Sequence, residues 1–270
     1  MNWIRARKDF KCPACGRDNW CTYSPEISSW CCMRIQSPKP TKNGGWLHRV
    51  GNKAVVVQPK REEVPEIDAA ALMNDWASST PLRYIEEFAN NLRVSVDSLA
   101  VVGTAWAREH RAFAFPMFNG NGQMVGIRLR NWCGDKWSVK GSREGLFIPW
   151  TASPRTAYVC EGPTDLAALL TIGAWGIGRP TCRGCIAHLQ VTINRLRIQR
   201  VIIIGDNDIA KWEGESSPGI DGAKKLAVEL QVPVASLLLP AKDTRQFVRD
   251  GGTMALLEAM VQHVSWRQPR

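Results

Sequence analysis

The sequence predicts an α/β protein whose core is a parallel sheet, preceded by a basic α+β subdomain and a small N-terminal zinc-binding module. Three observations carry that expectation. Short apolar runs at residues 157–160, 201–204 and 237–239 lead into acidic residues at Glu161, Asp206 and Asp243. Five of the nine cysteines crowd into residues 12–32. Between these regions, residues 112–130 read as two strands joined by the turn Asn119-Gly120-Asn121-Gly122.

The cysteine-rich segment comes first. In Cys12-Pro13-Ala14-Cys15-Gly16 the two-residue spacing lets both thiolates face one tetrahedral ion, and Gly16 permits the tight turn. Trp20-Cys21 and Trp30-Cys31-Cys32-Met33-Arg34 supply further thiols. The expected zinc ligands are Cys12, Cys15, Cys21 and Cys32, with Cys31 left over and His48 the alternative for the fourth position. Basic residues from Arg5 to Arg34 interleave with Trp20, Tyr23 and Trp30, offering phosphate contacts and stacking faces for single-stranded bases. So small a module also needs aromatic rings as its core. Both uses stay open, for different rings.

Composition narrows the class. Hydrophobic residues make up 44% of 270, enough for a packed core and against wholesale disorder. No run approaches the length of a membrane span and Met1-Asn2-Trp3-Ile4-Arg5 leads into charge, so a cytoplasmic, membrane-independent protein is expected. In a reducing compartment clustered cysteines read as metal binding rather than disulfides. The net charge is +10, and residues 1–60 hold eleven Lys or Arg against three Asp or Glu. A second stretch, residues 179–200, holds five arginines and no acid. Basic segments beside an acidic site suit a polyanion gripped by its phosphates.

Residues 52–70, with Pro59 and Pro65 as breakers, read as a linker. A helix is expected from Pro81 to Leu92 with Leu82, Ile85, Phe88, Ala89 and Leu92 on one face, and a second from Val94. Such a pair resembles a helix-turn-helix, but capping a neighbouring sheet is the better expectation. On the second strand of the hairpin, Arg128 and Arg130 share a face, and Lys136 and Lys140 follow. These four are either a binding groove or a solvated outer face. After Glu161, residues 166–170 are helical and Gly173 ends them, giving a strand-helix unit. Cys182 and Cys185 have a metal-pair spacing without a second pair and are read as coincidental.

The three apolar runs suit strands buried on both faces of a parallel sheet, whose ligand crevice lies beyond the carboxyl ends. Acids at those ends converge and repel one another unless a hard divalent cation, magnesium or manganese, neutralises them.

The ordered set Glu161-Gly162-Pro163-Thr164-Asp165, Asp206-Asn207-Asp208 and Lys242-Asp243 resembles the toprim signature of bacterial-type DNA primases, topoisomerases and some nucleases, over residues 157–248. The cysteine segment, with Gly44-Gly45-Trp46-Leu47-His48-Arg49, is similar to the zinc-binding amino terminus of phage and mobile-element primases. The resemblance implies a toprim-type parallel sheet and four parts: a zinc-binding module at 1–51, a linker at 52–70, a basic subdomain at 71–150 and a toprim domain at 151–270. It implies a DNA primase, a nucleotidyltransferase that makes short RNA on a single-stranded DNA template from ribonucleoside triphosphates. By the same resemblance Asp206, Asp208 and Asp243 hold magnesium or manganese, and Glu161 is a ligand or a base. Lys242 holds the triphosphate or developing charge, Asp165 supports the site, and Arg34, Arg128, Arg130, Lys136 and Lys140 contact nucleic acid or nucleotide.

One departure stands out. Primases often carry an Asn-Asp pair shortly after the Lys-Asp, and here those positions read Arg245-Gln246. A second metal position is therefore in doubt. No P-loop is present, so a separate replicative helicase is the expected partner. Two other readings stay open: a metal-dependent nuclease on the same core, and a non-catalytic zinc-dependent DNA-binding protein.

Overall fold

The computed structural model describes residues 3–24, 29–41, 44–49, 65–181, 184–207 and 226–269. Asp208, Cys182 and residues 52–64 of the expected linker lie outside the described residues. The chain divides into two compact units, Met1–Glu63 and Val64–Arg270.

The first unit is an antiparallel sheet of four short strands in sequence order, β1 (Ile4–Arg5), β2 (Thr22–Tyr23), β3 (Ser29–Cys32) and β4 (Trp46–Arg49). Its core is small. Cys12, Cys21 and Cys32 are buried with Ala6, Tyr23 and Trp30. Phe10 stacks on Trp30 at 5.1 Å between ring centroids and tilts against Tyr23 at 4.6 Å.

The second unit begins with a helix whose first two residues, Ala69 and Ala70, fall at the end of the expected linker. Helix α1 (Ala69–Ser79) is N-capped by Asp68, whose carboxylate accepts from the Ala71 N–H at 2.9 Å. It covers one face of the antiparallel sheet β5 (Ala105–Ala107), β6 (Ala112–Phe118), β7 (Met124–Arg130) and β8 (Lys136–Ser138). Alternation along β6 explains the packing. Ala112 and Ala114 are small enough for α1 to approach, with Met73 and Trp76 against them. Phe113, Phe115 and Met117 point to the opposite face and enter the main core. There α2 (Leu82–Leu92) supplies Ile85, Phe88 and Leu92, and Phe88 stacks on Phe113 at 3.7 Å. Helices α2 and α3 (Val96–Val101) thus cap a sheet rather than presenting a recognition helix. Thr171 of the following helix accepts from the Ser95 N–H at the start of α3 (2.9 Å).

The larger sheet runs β10-β9-β11-β12-β13, where β9 is Thr156–Glu161, β10 Gly176–Arg179, β11 Arg200–Gly205, β12 Val234–Leu238 and β13 Trp266–Arg267. The first four are parallel neighbours, and β13 joins antiparallel. Helix α4 (Gly162–Thr171) leads from β9 to β10, and α5 (Ile186–Arg195) leads back across to β11. The third expected strand is displaced. The strand is Val234–Leu238 rather than the 237–239 run, and its residues alternate between buried and exposed after Ala235. Ser236 and Leu238 are exposed, so β12 lacks the two covered faces of a central strand, and its outer neighbour β13 pairs only with Val234 and Ala235.

A short segment zips the two sheets together. Leu146 pairs with Phe118, and Phe147 exchanges backbone hydrogen bonds of 2.9 Å with Gly178 of β10. Gly178 is required there, since a Cβ would lie 2.7 Å from the Gly162 carbonyl and 3.1 Å from Phe147. That close approach sets the start of α4 beside β10. Two further helices close the unit, α6 (Thr244–Arg249) and α7 (Met254–Val261).

Candidate functional site

Two sites emerge, one in each unit. In the first, the ligand atoms of Cys12, Cys15, Cys21 and Cys32 all lie within 4.8 Å of one another. The turn that presents Cys12 and Cys15 is closed by Gly16 N–H to the Cys12 carbonyl (2.7 Å) and Cys12 N–H to the Arg17 carbonyl (2.8 Å), with Gly16 at φ 69°. Cys21 directly precedes β2 and Cys32 ends β3, and these two strands are hydrogen-bonded neighbours. The other candidates are engaged elsewhere. His48 Nε2 sits 2.9 Å from the Ile35 carbonyl, and Cys31 Sγ lies 3.5 Å from Thr41 Oγ1.

The thiols divide in acidity. Burial pushes the Cys12 thiol up and takes Cys21, also beside Cys15 and Cys12, to about 12. For Cys15 burial acts upward too, but the Arg17 N–H and the neighbouring thiols outweigh it and bring the group down to about 7. Four buried or half-buried sulfurs in that space cannot all ionise unaided. A tetrahedral divalent ion bound as four thiolates suits this donor set, and zinc fits it.

The expected loss on replacing Cys12 and Cys15 together by serine is about one zinc per chain, with unfolding of the first unit, because a structural ion carries much of the folding free energy of so small a module. The second unit has its own core and should keep its circular dichroism. Full zinc retention in the double variant, read by metal analysis, would sink the assignment.

In the second unit, strand order reverses between β9 and β11. The connection from β9 passes to β10 on one side, while β12 lies beyond β11 on the other. The crevice beyond the carboxyl ends at such a point is where open α/β sheets bind ligands. Glu161 is the last residue of β9 and Asp206 the first after β11. Asp165 lies in the first turn of α4, buried, and Asp243 is the N-cap of α6, its carboxylate accepting the Gln246 N–H at 2.7 Å. Backbone hydrogen bonds stitch the acid-bearing segments together. The Asn207 N–H donates to the Lys242 carbonyl at 2.8 Å, and the Arg245 N–H donates to Asp165 Oδ1 at 3.1 Å.

The four acids do not face one another alone. One cavity of about 100 Å³ is lined by Glu161, Asp165, Asp206 and Asp243 and by Arg128, Arg130, Lys136 and Arg245. The acids expected to converge here are therefore interleaved with basic side chains. Four basic side chains already oppose the four carboxylates. Arg128 reaches across from the antiparallel sheet, donating to Ser138 Oγ at 3.3 Å and to the Pro180 carbonyl at 3.2 Å. Burial and then the Arg245 charge lower the Arg130 pKa, with Asp165 and Asp243 opposing. Desolvation against the cavity wall and then the Arg130 charge do the same to Lys136, whose side chain is otherwise exposed. The cavity is well below the ~300–1,000 Å³ of pockets that enclose drug-sized ligands. It suits an ion or the phosphate end of a larger ligand. Oxygen donors on three separate elements fit a hard divalent ion of the magnesium or manganese type.

Not every expected residue joins this cavity. Lys242 and Lys140 are exposed and neither lines it. Arg34 belongs to the first unit and is occupied at the cysteine cluster. Arg245 went unrecognised as a site residue. Its signal was present, since it stands two residues after Asp243, at the first position of the expected Asn-Asp pair.

Asp165 supplies a pH-dependent prediction. Burial, and secondarily the Asp243 charge, push its carboxyl from the usual 3.8 up to about 6. A folded-state pKa raised above the unfolded one means stability is fully present below about pH 4 and is lost as pH rises through about 6. Asp165→Asn keeps an acceptor for the Arg245 N–H and removes the buried charge. In buffer without added divalent ions it should melt at a higher temperature than wild type at pH 7.5, with the difference shrinking towards pH 4. Equal differences at both pH values would contradict this.

No family model matches the sequence, and no curated protein sequence matches it either. The fold does have solved counterparts. The DnaG primase catalytic domain bound to single-stranded DNA superposes with a TM-score of 0.56 at 16% identity, over 73% of this chain and 78% of that one. The zinc-binding and RNA polymerase domains of the Aquifex aeolicus primase match over 99% of this chain and 81% of theirs, at 16% identity and TM-score 0.56. The primase fragment of the bacteriophage T7 primase-helicase matches over 96% of this chain and all of its own length, at 13% identity and TM-score 0.52. The chain therefore has the fold of DnaG-type primases, mixed α/β with a parallel core sheet. Among the described residues, no helix is long and apolar enough to cross a membrane.

Proposed function

We propose that the protein is a DNA primase, which joins ribonucleotides on a single-stranded DNA template. The observation that carries this reading is the convergence of Glu161, Asp206 and Asp243 at the switch point of the parallel sheet, facing Arg128, Arg130, Lys136 and Arg245. The reaction is attack of a 3′-hydroxyl on the α-phosphate of a nucleoside triphosphate, with release of pyrophosphate. Arg128, Arg130 and Arg245 offer planar donors for phosphate oxygens, and Lys136 adds a point charge. Asp206 and Asp243 hold a divalent ion, with Asp208 added from the sequence and Glu161 as a further ligand or a base. Such an ion, when bound, stabilises charge on the attacking and leaving oxygens. Asp165 acts behind them, fixing α6 through the Arg245 N–H.

The likeness to primases that carry a zinc-binding domain supports a template-gripping role for the first unit, and the basic excess of residues 1–60 supports single-stranded DNA as its partner. Opening of duplex DNA is assigned to a separate helicase. The test is incubation with single-stranded DNA, labelled ribonucleotides and magnesium or manganese, resolved on a denaturing gel. New labelled oligoribonucleotides are expected. Shortened template would favour the nuclease reading, and intact template with only a mobility shift would favour a non-catalytic binder.

A further inference from the structure

We infer that Trp20 is a stacking contact for an unpaired base of single-stranded nucleic acid, and that Arg34 is the positioning residue that ties the Trp20 loop to the cysteine cluster. Of the three rings expected as stacking faces, Trp20, Tyr23 and Trp30, two are consumed by the core. Tyr23 and Trp30 are 6% and 7% exposed, whereas Trp20 is 68% exposed, more than any other large apolar side chain among the described residues.

The backbone points the same way. Trp20 has φ 68°, a left-handed conformation that bulky side chains rarely adopt. The preceding turn makes the same excursion with a glycine, Gly16 at φ 69°. An indole held in that conformation and left in solvent contributes nothing to this core, and strained positions cluster at binding sites.

Arg34 explains how the loop is held. Its guanidinium donates to the Asn19 carbonyl at 3.0 Å and to Asn19 Oδ1 at 2.6 Å. The same group lies 3.7 Å from Cys21 Sγ and 3.9 Å from Cys15 Sγ. One fork thus grips the residue before Trp20 and two of the four sulfurs. A cation there suits the surplus negative charge of four thiolates around a divalent ion, as groups behind metal ligands commonly do. Arg34 is thereby drawn away from the phosphate contact expected of it. Base stacking needs an exposed ring, a fixed loop and nearby positive charge, and it tolerates any base because every base has a π-face. The basic excess of residues 1–60 favours a polyanion over a protein surface as the occupant.

The inference rests on the reading of this module as a nucleic-acid contact, and its test is independent of catalysis. Binding of the full chain to labelled oligo(dT), without nucleotides, is measured by fluorescence anisotropy over a range of salt, with zinc content determined for each variant. Trp20→Ala should weaken binding about tenfold, with zinc retained and the log–log salt slope unchanged. Trp20→Phe should stay within about threefold of wild type, since a smaller ring still stacks. Arg34→Ala should also weaken binding about tenfold, and the double variant should be no weaker than either single one.

Wild-type affinity or loss of zinc in Trp20→Ala would overturn the stacking role, the first leaving the ring to a protein partner and the second making it part of the fold. A slope lowered by about 0.7 in Arg34→Ala would make Arg34 a phosphate contact and overturn the positioning role. Absence of oligo(dT) binding by the wild-type chain would overturn this inference and the template-gripping reading together. Binding that depends on Trp20 in a protein that forms no primers would overturn the primase reading alone.

Discussion

Asp206→Asn and Asp208→Asn should each abolish primer synthesis while leaving single-stranded DNA binding nearly intact. Asp206 stands at the strand end where the sheet order reverses and shares its cavity with three other carboxylates. An amide there keeps the shape and removes one negative ligand from the proposed divalent-ion site. Charge stabilisation by such an ion is worth several kcal/mol, and about 4 kcal/mol corresponds to roughly a thousandfold in rate. In the proposed reading DNA binding draws instead on the basic residues of the first unit and on Arg128, Arg130 and Lys136, which neither change removes. Wild-type turnover by either variant at saturating magnesium would remove the acids from the mechanism. Comparable loss of binding and synthesis would mean that the substitution damages the fold.

The second large effect separates template capture from chemistry. A fragment beginning at residue 65 should fold, because the second unit buries its own core. The cut belongs at 65 rather than 70. The Pro65 carbonyl and Ile67 pack against Gly141, Glu66 pairs with Arg143, and Asp68 caps α1. The fragment lacks the cysteine module and most of the excess positive charge. Initiation needs template, two nucleotides and metal assembled at once, whereas extension begins from a strand already paired with the template. De novo initiation should therefore fall by far more than extension of a supplied primer, and each lost phosphate contact should flatten the salt dependence of binding by roughly 0.7 in log–log slope. Equal losses of initiation and extension, with an unchanged slope, would reduce the first unit to a structural appendage.

How far the sequence reads through to this structure depends on where the information sits. Strands β6 and β7 are legible because Ala-Phe alternation and the Asn119 turn are local signals. Strands β9 and β11 are legible because buried parallel strands are continuous apolar runs. Strand β12 is misplaced by the same rule, since a strand with one face partly exposed alternates instead. Helix α1 escapes because Ala69–Ser79 carries no strong apolar stripe. What holds it is the small-residue face of β5 and β6, some distance along the chain.

At the acid site the individual carboxylates are legible, but the basic residues that oppose them are only partly so. Arg128 and Arg130 belong to a different sheet, and their approach to β9 and β11 is set by the Phe147–Gly178 pairing, which no motif announces. Arg245 sits close to a recognised motif yet breaks it. Arg34 lies beside a cysteine in the sequence, and only the folded loop shows that its donors face Asn19 and the sulfurs.

The central claim is that this α/β site copies a template. Synthesis on two single-stranded DNAs of defined sequence tests it most directly, each supplied with one radiolabelled ribonucleotide complementary to only one of the templates and the other three unlabelled, followed by sequencing of the products. The account predicts short RNAs with a 5′-triphosphate whose sequence is complementary to whichever template was present, labelled only where the template calls for that base. Products of the same sequence on both templates, label added to the DNA ends, or degraded template with no RNA would contradict it.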